Sequence, residues 1–172
     1  MDLKDMTIKQ KLNITENLNT SEHILRDLAK DKSLSVRGKV ARHPNTSKIS
    51  LRDLSKDNDE WVRTQVGGNP NTPEDILYQL VKEKNEWIDQ QLANNPNITQ
   101  SLLQELAYSE SNYVRWTLVK HPKIPSTLLV MLFEHEKSFN EPDEDIIRAL
   151  YENSKLPLFV KRVIETLFGD IL

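Results

Sequence analysis

Among the side chains of this chain that could do chemistry, the histidines come first, because four of them stand in 172 residues that contain no cysteine. The missing thiols exclude disulfides, thiolate metal sites, iron–sulfur clusters and cysteine nucleophiles. His43 and His121 share one slot of a recurring phrase, three periods apart. Packed helices lie about 8 to 10 Å apart, so a row of helix pairs separates these two rings by tens of ångströms and they cannot share an ion. His23 and His135 fall in other slots, and no His-x-x-x-His or Glu-x-x-His spacing occurs. The histidines read as capping or surface residues. Paired carboxylates are available in Glu134 to Asp145, EHEKSFNEPDED, six acidic residues against one lysine. That run lacks the Asp-x-Asp-x-Asp-Gly order of a calcium loop and reads as a solvated, mobile insertion. With four glycines, no Gly-rich phosphate loop and no Gly-x-Ser-x-Gly elbow, the chain offers no catalytic residue, no cofactor site and no metal ligand set.

Side chains suited to recognition are more plentiful. Arg37, Arg63 and Arg115 recur in step beside an apolar position. Their fixed place favours hydrogen bonds between units over an anionic ligand. Trp61, Trp87 and Tyr113 form an aromatic column, read as sealing the joints between units. Trp116 breaks the pattern, standing where other units carry Gly38, Thr64 and Gln90. A large ring that the repeat does not demand is the best candidate for an exposed hot-spot residue.

These residues are placed by a repeat of 26 residues. The phrase NPNTPEDIL (Asn69 to Leu77) is echoed by HPNTSKISL (His43 to Leu51), NPNITQSLL (Asn95 to Leu103) and HPKIPSTLL (His121 to Leu129). Units start at Asn17, His43, Asn69, Asn95 and His121, and a partial one starts at Asn153 after six extra residues. A period of this size marks an array of small supersecondary units that bury their apolar faces on one another. Thr72-Pro73-Glu74-Asp75 reads as a helix start, with a hydroxyl cap, a proline and acids beside the positive helix end. Leu25, Leu51, Leu77, Leu103 and Leu129 then mark the apolar face of a first helix. Ser33, Asp59, Asn85 and Ser111 are N-caps for a second helix, which buries Val36 and Val40, Val62 and Val66, Ile88 and Leu92, Val114 and Leu118. Each second helix ends at the Asn-Pro or His-Pro step. The expected fold is therefore all-α: a right-handed α-solenoid of about five to six two-helix repeats in one domain, 1–172. Residues 1–16 form an N-terminal cap, 17–152 five repeats, the fifth with the insertion at 134–145, and 153–172 a partial repeat and C-terminal cap.

The pattern NPNTPEDIL…DNDEWVRTQVGGNPNTP resembles the leucine-rich repeat variant family, and its Asp-then-Val-Arg portion resembles HEAT repeats. The likeness covers roughly residues 17 to 164. It implies a curved solenoid whose units alternate an α-helix with a second helical segment that can be tighter. It also implies a ladder of Asp and Arg tying neighbours together, matched here by Asp31 with Arg37 and Asp57 with Arg63, and interrupted by Asp89. One branch of the family carries an iron–sulfur centre on an N-terminal cysteine cluster, which a chain without cysteine cannot hold.

The function expected from these features is a non-enzymatic scaffold that binds a protein or peptide along the second helices. Lys39, Arg42, Gln65, Gln91, Trp116 and Lys120 are the candidate contact residues, exposed slots that vary while the buried slots stay constant. A HEAT-like nucleic-acid-binding or DNA-acting protein is the alternative. The net charge of −3, with −5 concentrated in residues 134 to 145, lacks the basic balance that phosphate binding needs. With no apolar run of membrane-crossing length and no basic-then-apolar N-terminus, a cytoplasmic location without membrane association is expected.

Overall fold

The computed structural model describes residues 2–172, and among them every regular element is a helix. Of the expected N-terminal cap, residue 1 lies outside the described residues. Twelve α-helices follow in order: α1 Ile8–Glu16, α2 Glu22–Leu28, α3 Leu34–Arg42, α4 Lys48–Leu54, α5 Glu60–Gly68, α6 Glu74–Val81, α7 Glu86–Ala93, α8 Gln100–Leu106, α9 Asn112–Lys120, α10 Ser126–Lys137, α11 Glu144–Glu152 and α12 Leu158–Phe168. Short 3-10 turns lie at Leu3–Asp5 and Gly169–Ile171. None of the described helices is long and apolar enough to cross a membrane. The chain divides into two compact units, Met1–Asn97 and Ile98–Leu172.

In the first unit α1, α3, α5 and α7 pack in succession, while α2, α4 and α6 pack on them from the connecting hairpins. In the second, α9 packs on α8, α10 and α11, and α12 on α11. The apolar periodicity accounts for this arrangement. Val36, Val62, Ile88 and Val114 are fully buried, as are Val40, Val66, Leu92 and Leu118 one turn later. Leu25, Leu51, Leu77, Leu103 and Leu129 are equally inaccessible on the first helices. Each such side chain withdrawn from water contributes about 1.5 to 3 kcal/mol before the cost of ordering it. The second helices are regular α-helices rather than a tighter form.

The Asn-Pro and His-Pro slot is a polar joint between units. Asn69 Nδ2 donates to the carbonyls of Ala41 and His43 at 2.6 and 3.0 Å, and Asn95 repeats this on Gly67 and Asn69 at 2.7 and 3.0 Å. The Oδ1 of each accepts the backbone N–H two residues on, at Asn71 and Asn97. His43 does the same with two ring nitrogens: Nδ1 accepts from Asn45 N, which leaves Nε2 as the donor to Asn17 O at 3.1 Å. Histidine replaces asparagine here because each pairs one acceptor with one donor. His43 is thus a buried joint residue, and His121 is buried with its Nδ1 accepting from Lys123 N at 3.2 Å; both cap the helix before them, so the capping reading holds and the surface reading of these two is wrong.

Two further expectations are corrected. Thr72 does not cap the helix that follows it, and neither do Thr20 and Thr46, which stand in the same slot of earlier repeats. Their hydroxyls donate back to the carbonyls of Ile14, Val40 and Val66, closing the preceding second helix, and Ser21, Ser47 and Pro73 take the N-cap positions. Half of the acidic stretch 134–145 is helix rather than loop. α10 runs on to Lys137 because Phe133 and Glu136 are buried, Asp143 caps α11 by accepting from Ile146 N at 3.1 Å, and only 138–143 connect them.

The arginine ladder reaches forward by one unit. Arg37 donates two bonds to Asp57, at 2.6 and 3.0 Å, and Arg63 grips Glu83, while each also donates to the backbone carbonyl of its own unit's acid, Asp31 or Asp57. Lys11 takes the same role toward Asp31 at 2.6 Å. Hydrogen bonding from Arg37 holds the Asp57 carboxyl below its ordinary value of 3.8. Arg115 donates to Glu136 in a pair that is almost wholly withdrawn from water. Arg63 pairs with Glu83 at 2.9 Å.

Candidate partner-binding cleft

The aromatic column is built on alternating large and small residues. A Cβ added at Gly38 would fall 1.8 Å from the Trp61 ring, so Trp61 of α5 occupies the space that α3 leaves by carrying glycine. The ring nevertheless stays 42% exposed, and Trp87 and Tyr113 are exposed as well, at 63% and 48%, so the column does not seal the joints as the sequence suggests.

Between α9 and α11 the large and small residues change places. Counting back from Asn153, Asp145 occupies the slot of Trp61, and Trp116 occupies the slot of Gly38. The register is secure, since Ile146 and Leu150 are fully buried in the slots of Val62 and Val66. No aromatic ring arrives from α11 to cover Trp116, and a short carboxylate stands in its place. The result is an open cleft of about 530 Å³ lined by Tyr113, Trp116 and Lys120 from one helix and Asp145, Arg148 and Glu152 from the other. Asn112 and Asp143 close one end, Asn112 Nδ2 donating to Asp143 Oδ2 at 2.7 Å, and Ala149 forms part of the floor.

The wall on α9 is aromatic. Tyr113 and Trp116 lie 6.2 Å apart at 32°, and Lys120 Nζ sits 3.9 Å from the centre of the Trp116 ring, well inside cation–π range. The wall on α11 is charged. Arg148 is committed elsewhere, donating from Nε to Ile171 O at 2.6 Å and pairing with Glu144 at 3.5 Å. Asp145 and Glu152 are exposed and make no ion pair among the described residues. Side chains with three carboxylates and two cations line the space, and only the carboxylates of Asp145 and Glu152 are uncommitted. A larger hollow of about 1280 Å³ near the N-terminus has no aromatic lining, and its Lys11 and Asp31 already neutralise each other.

Of the six residues expected to touch a partner, the structure brings Trp116 and Lys120 into contact. Lys39, Gln65 and Gln91 hold one slot on the successive helices α3, α5 and α7. Lys39 pairs with Glu16 at 3.5 Å, Arg42 is exposed at the end of α3, and the Gln91 amide lies against Gly68, where a Cβ would come within 2.7 Å of its Oε1. Sequence reasoning missed Asp145, Arg148 and Glu152 because it treated the acidic run as a loop. The available signal was Ile146 and Leu150, an i, i+4 pair placed before Asn153 as Val62 and Val66 are before Asn69. Comparison with known proteins finds no matching family model, no similar curated protein and no similar solved structure.

Proposed function

We propose that this protein is a non-enzymatic binding scaffold: a right-handed α-solenoid of five to six 26-residue units, of the leucine-rich repeat variant and HEAT-like kind, that holds a protein or peptide partner on its second helices. Support for the solenoid comes from joint hydrogen bonds that recur at a spacing of 26 residues inside the first unit, Asn69 to His43 and Asn95 to Asn69. The observation that carries the function is the open cleft at Trp116. The buried slots repeat, whereas the outer slots of α9 and α11 depart from the pattern together and leave the Trp116 ring half-buried at the edge of a cleft rather than exposed as expected. Coordinated departure on a constant frame is what a recognition surface requires.

Photo-crosslinking tests this reading inside the cytoplasm where the scaffold is expected to work. A benzophenone side chain at Gln65, Gln91 or Tyr113 is expected to capture one recurring protein, and the same group at Gln79 or Glu105, on first helices, is not. Capture only from the first helices would overturn the assignment of the surface. Duplex DNA at about 50 mM salt is expected to give no mobility shift, since the exposed carboxylates oppose phosphate. A shift that fades as salt rises would replace the peptide partner with nucleic acid.

A further inference from the structure

We propose that the cleft between α9 and α11 receives a cationic side chain, lysine or arginine, of a basic peptide segment, with Trp116 as its aromatic wall and Asp145 and Glu152 as its counter-charges. The inference rests on the binding-scaffold reading and names the chemistry of the partner.

The molecule displays this chemistry with one of its own residues. Lys120 holds its ammonium 3.9 Å from the Trp116 ring centre, so the ring face already accepts a cation in that space. An indole face attracts cations through its quadrupole, and an arginine plane can stack on it as well. Lys120 is exposed and forms no ion pair among the described residues, so it is held by the ring alone and is free to swing into solvent. It acts as a resident occupant that an incoming side chain displaces.

The opposite wall supplies the charge. Asp145 and Glu152 lie seven residues apart on α11, two turns along one face, and both border the cleft. The oxygens of Asp143 are engaged by Ile146 N and Asn112 Nδ2, and Arg148 is engaged by Glu144 and the Ile171 carbonyl. What remains for a ligand is a half-buried ring whose cleft-side face is covered by Lys120, and two carboxylates without an ion pair among the described residues. Such a site attracts ammonium or guanidinium groups and repels phosphates and acidic peptides. About 530 Å³ lies within the usual range for ligand clefts and admits a long side chain with part of its backbone.

The test is fluorescence anisotropy of a short fluorescein-labelled peptide alternating arginine with glycine, against the full chain, with a glutamate-for-arginine peptide and a short DNA duplex as comparisons. Trp116→Ala is expected to weaken the arginine peptide about tenfold, Trp116→Phe to weaken it less, and Asp145→Asn with Glu152→Gln to weaken it and flatten its salt dependence. Lys120→Gln is expected to tighten binding several-fold, because it removes both the competitor and a like charge. That opposite sign is not a consequence of misfolding, and unchanged thermal melting of Lys120→Gln and Trp116→Phe confirms it. Failure of the arginine peptide to bind, equal binding by Trp116→Ala, weaker binding by Lys120→Gln, or preference for the glutamate peptide or DNA would each overturn the proposal. If crosslinking from Gln65 and Gln91 persists while the arginine peptide fails, this inference falls and the scaffold reading stands.

Discussion

At the scale of single residues, one ladder position behaves differently according to how much water reaches it. Arg63 and Glu83 are both partly exposed, whereas Arg115 and Glu136 are 5% and 0% exposed. Both arginines also donate to backbone carbonyls at the start of their own helices, Asp57 O and Ser109 O. Removing one partner of an exposed pair leaves a charge that water can solvate, but removing one partner of a buried pair strands the other. Glu136→Ala is therefore expected to cost about 3 to 5 kcal/mol in urea denaturation, and Glu83→Ala no more than about 1 kcal/mol. Equal losses would show that Arg115 finds another partner, and the Phe139 ring 5.0 Å away is the available one. The arginine column was legible in the sequence because it recurs every 26 residues. Its acidic partners were not, because they stand 20 or 21 residues further on, in the following unit, rather than beside the arginine in its own.

At the scale of elements, the same bonds tie one helix pair to the next, and carboxylates carry most of them. The Asp57 carboxyl is held below 3.8 by Arg37 in the folded chain. A carboxyl depressed by folding contributes stability above its unfolded value, and that contribution disappears as pH falls through the lower folded value. Thermal stability is expected to decline from about pH 4 downward. Asp57→Asn should begin less stable at pH 7 and show a shallower decline, because the group that takes up the proton is gone. A slope identical to that of the parent chain would assign acid sensitivity to other carboxylates, with Asp31, bonded to Lys11, the first to examine. The helices themselves were readable from apolar spacing, since it obeys the 3.6-residue period that the structure buries. Helix starts were less readable. A threonine before a proline or serine satisfies two descriptions, a cap for the next helix or a closing bond to the previous one. The carbonyl of Val66 at the end of α5 has no i+4 partner, takes the Asn69 N–H of the cap at 3.1 Å, and offers its second lone pair to the Thr72 hydroxyl at 2.6 Å, which decides for the second. α11 escaped detection because its charged outer face, Glu144, Asp145, Arg148 and Glu152, dominates the composition of a stretch whose buried face is only Ile146, Ile147, Ala149 and Leu150.

At the scale of the whole molecule, the helices gather into two compact units rather than around one centre. Each helix pair buries its apolar stripe mainly against its neighbours, so stability is close to a sum of local terms and need not be lost all at once. The chain divides into compact units at Asn97 and Ile98, and the ladder's residue types lapse at the same level of the sequence, with Asp89 in the arginine slot and Ser109 in the acid slot. Leu51 of α4 and Leu129 of α10 are fully buried in equivalent slots of different units. Truncating either to alanine is expected to remove about 2 to 5 kcal/mol locally, by loss of contacts and the cavity left behind. Native-state hydrogen exchange should then report the damage where it was made: Leu51→Ala lowers protection in α3, α4 and α5 while amides of α10, α11 and α12 keep theirs, and Leu129→Ala does the reverse. The cleft at Trp116 lies wholly in the second unit, so the arginine-peptide affinity of Leu51→Ala should match that of the parent chain. Protection lost evenly along the chain after either substitution would mean that the two units unfold as one cooperative block.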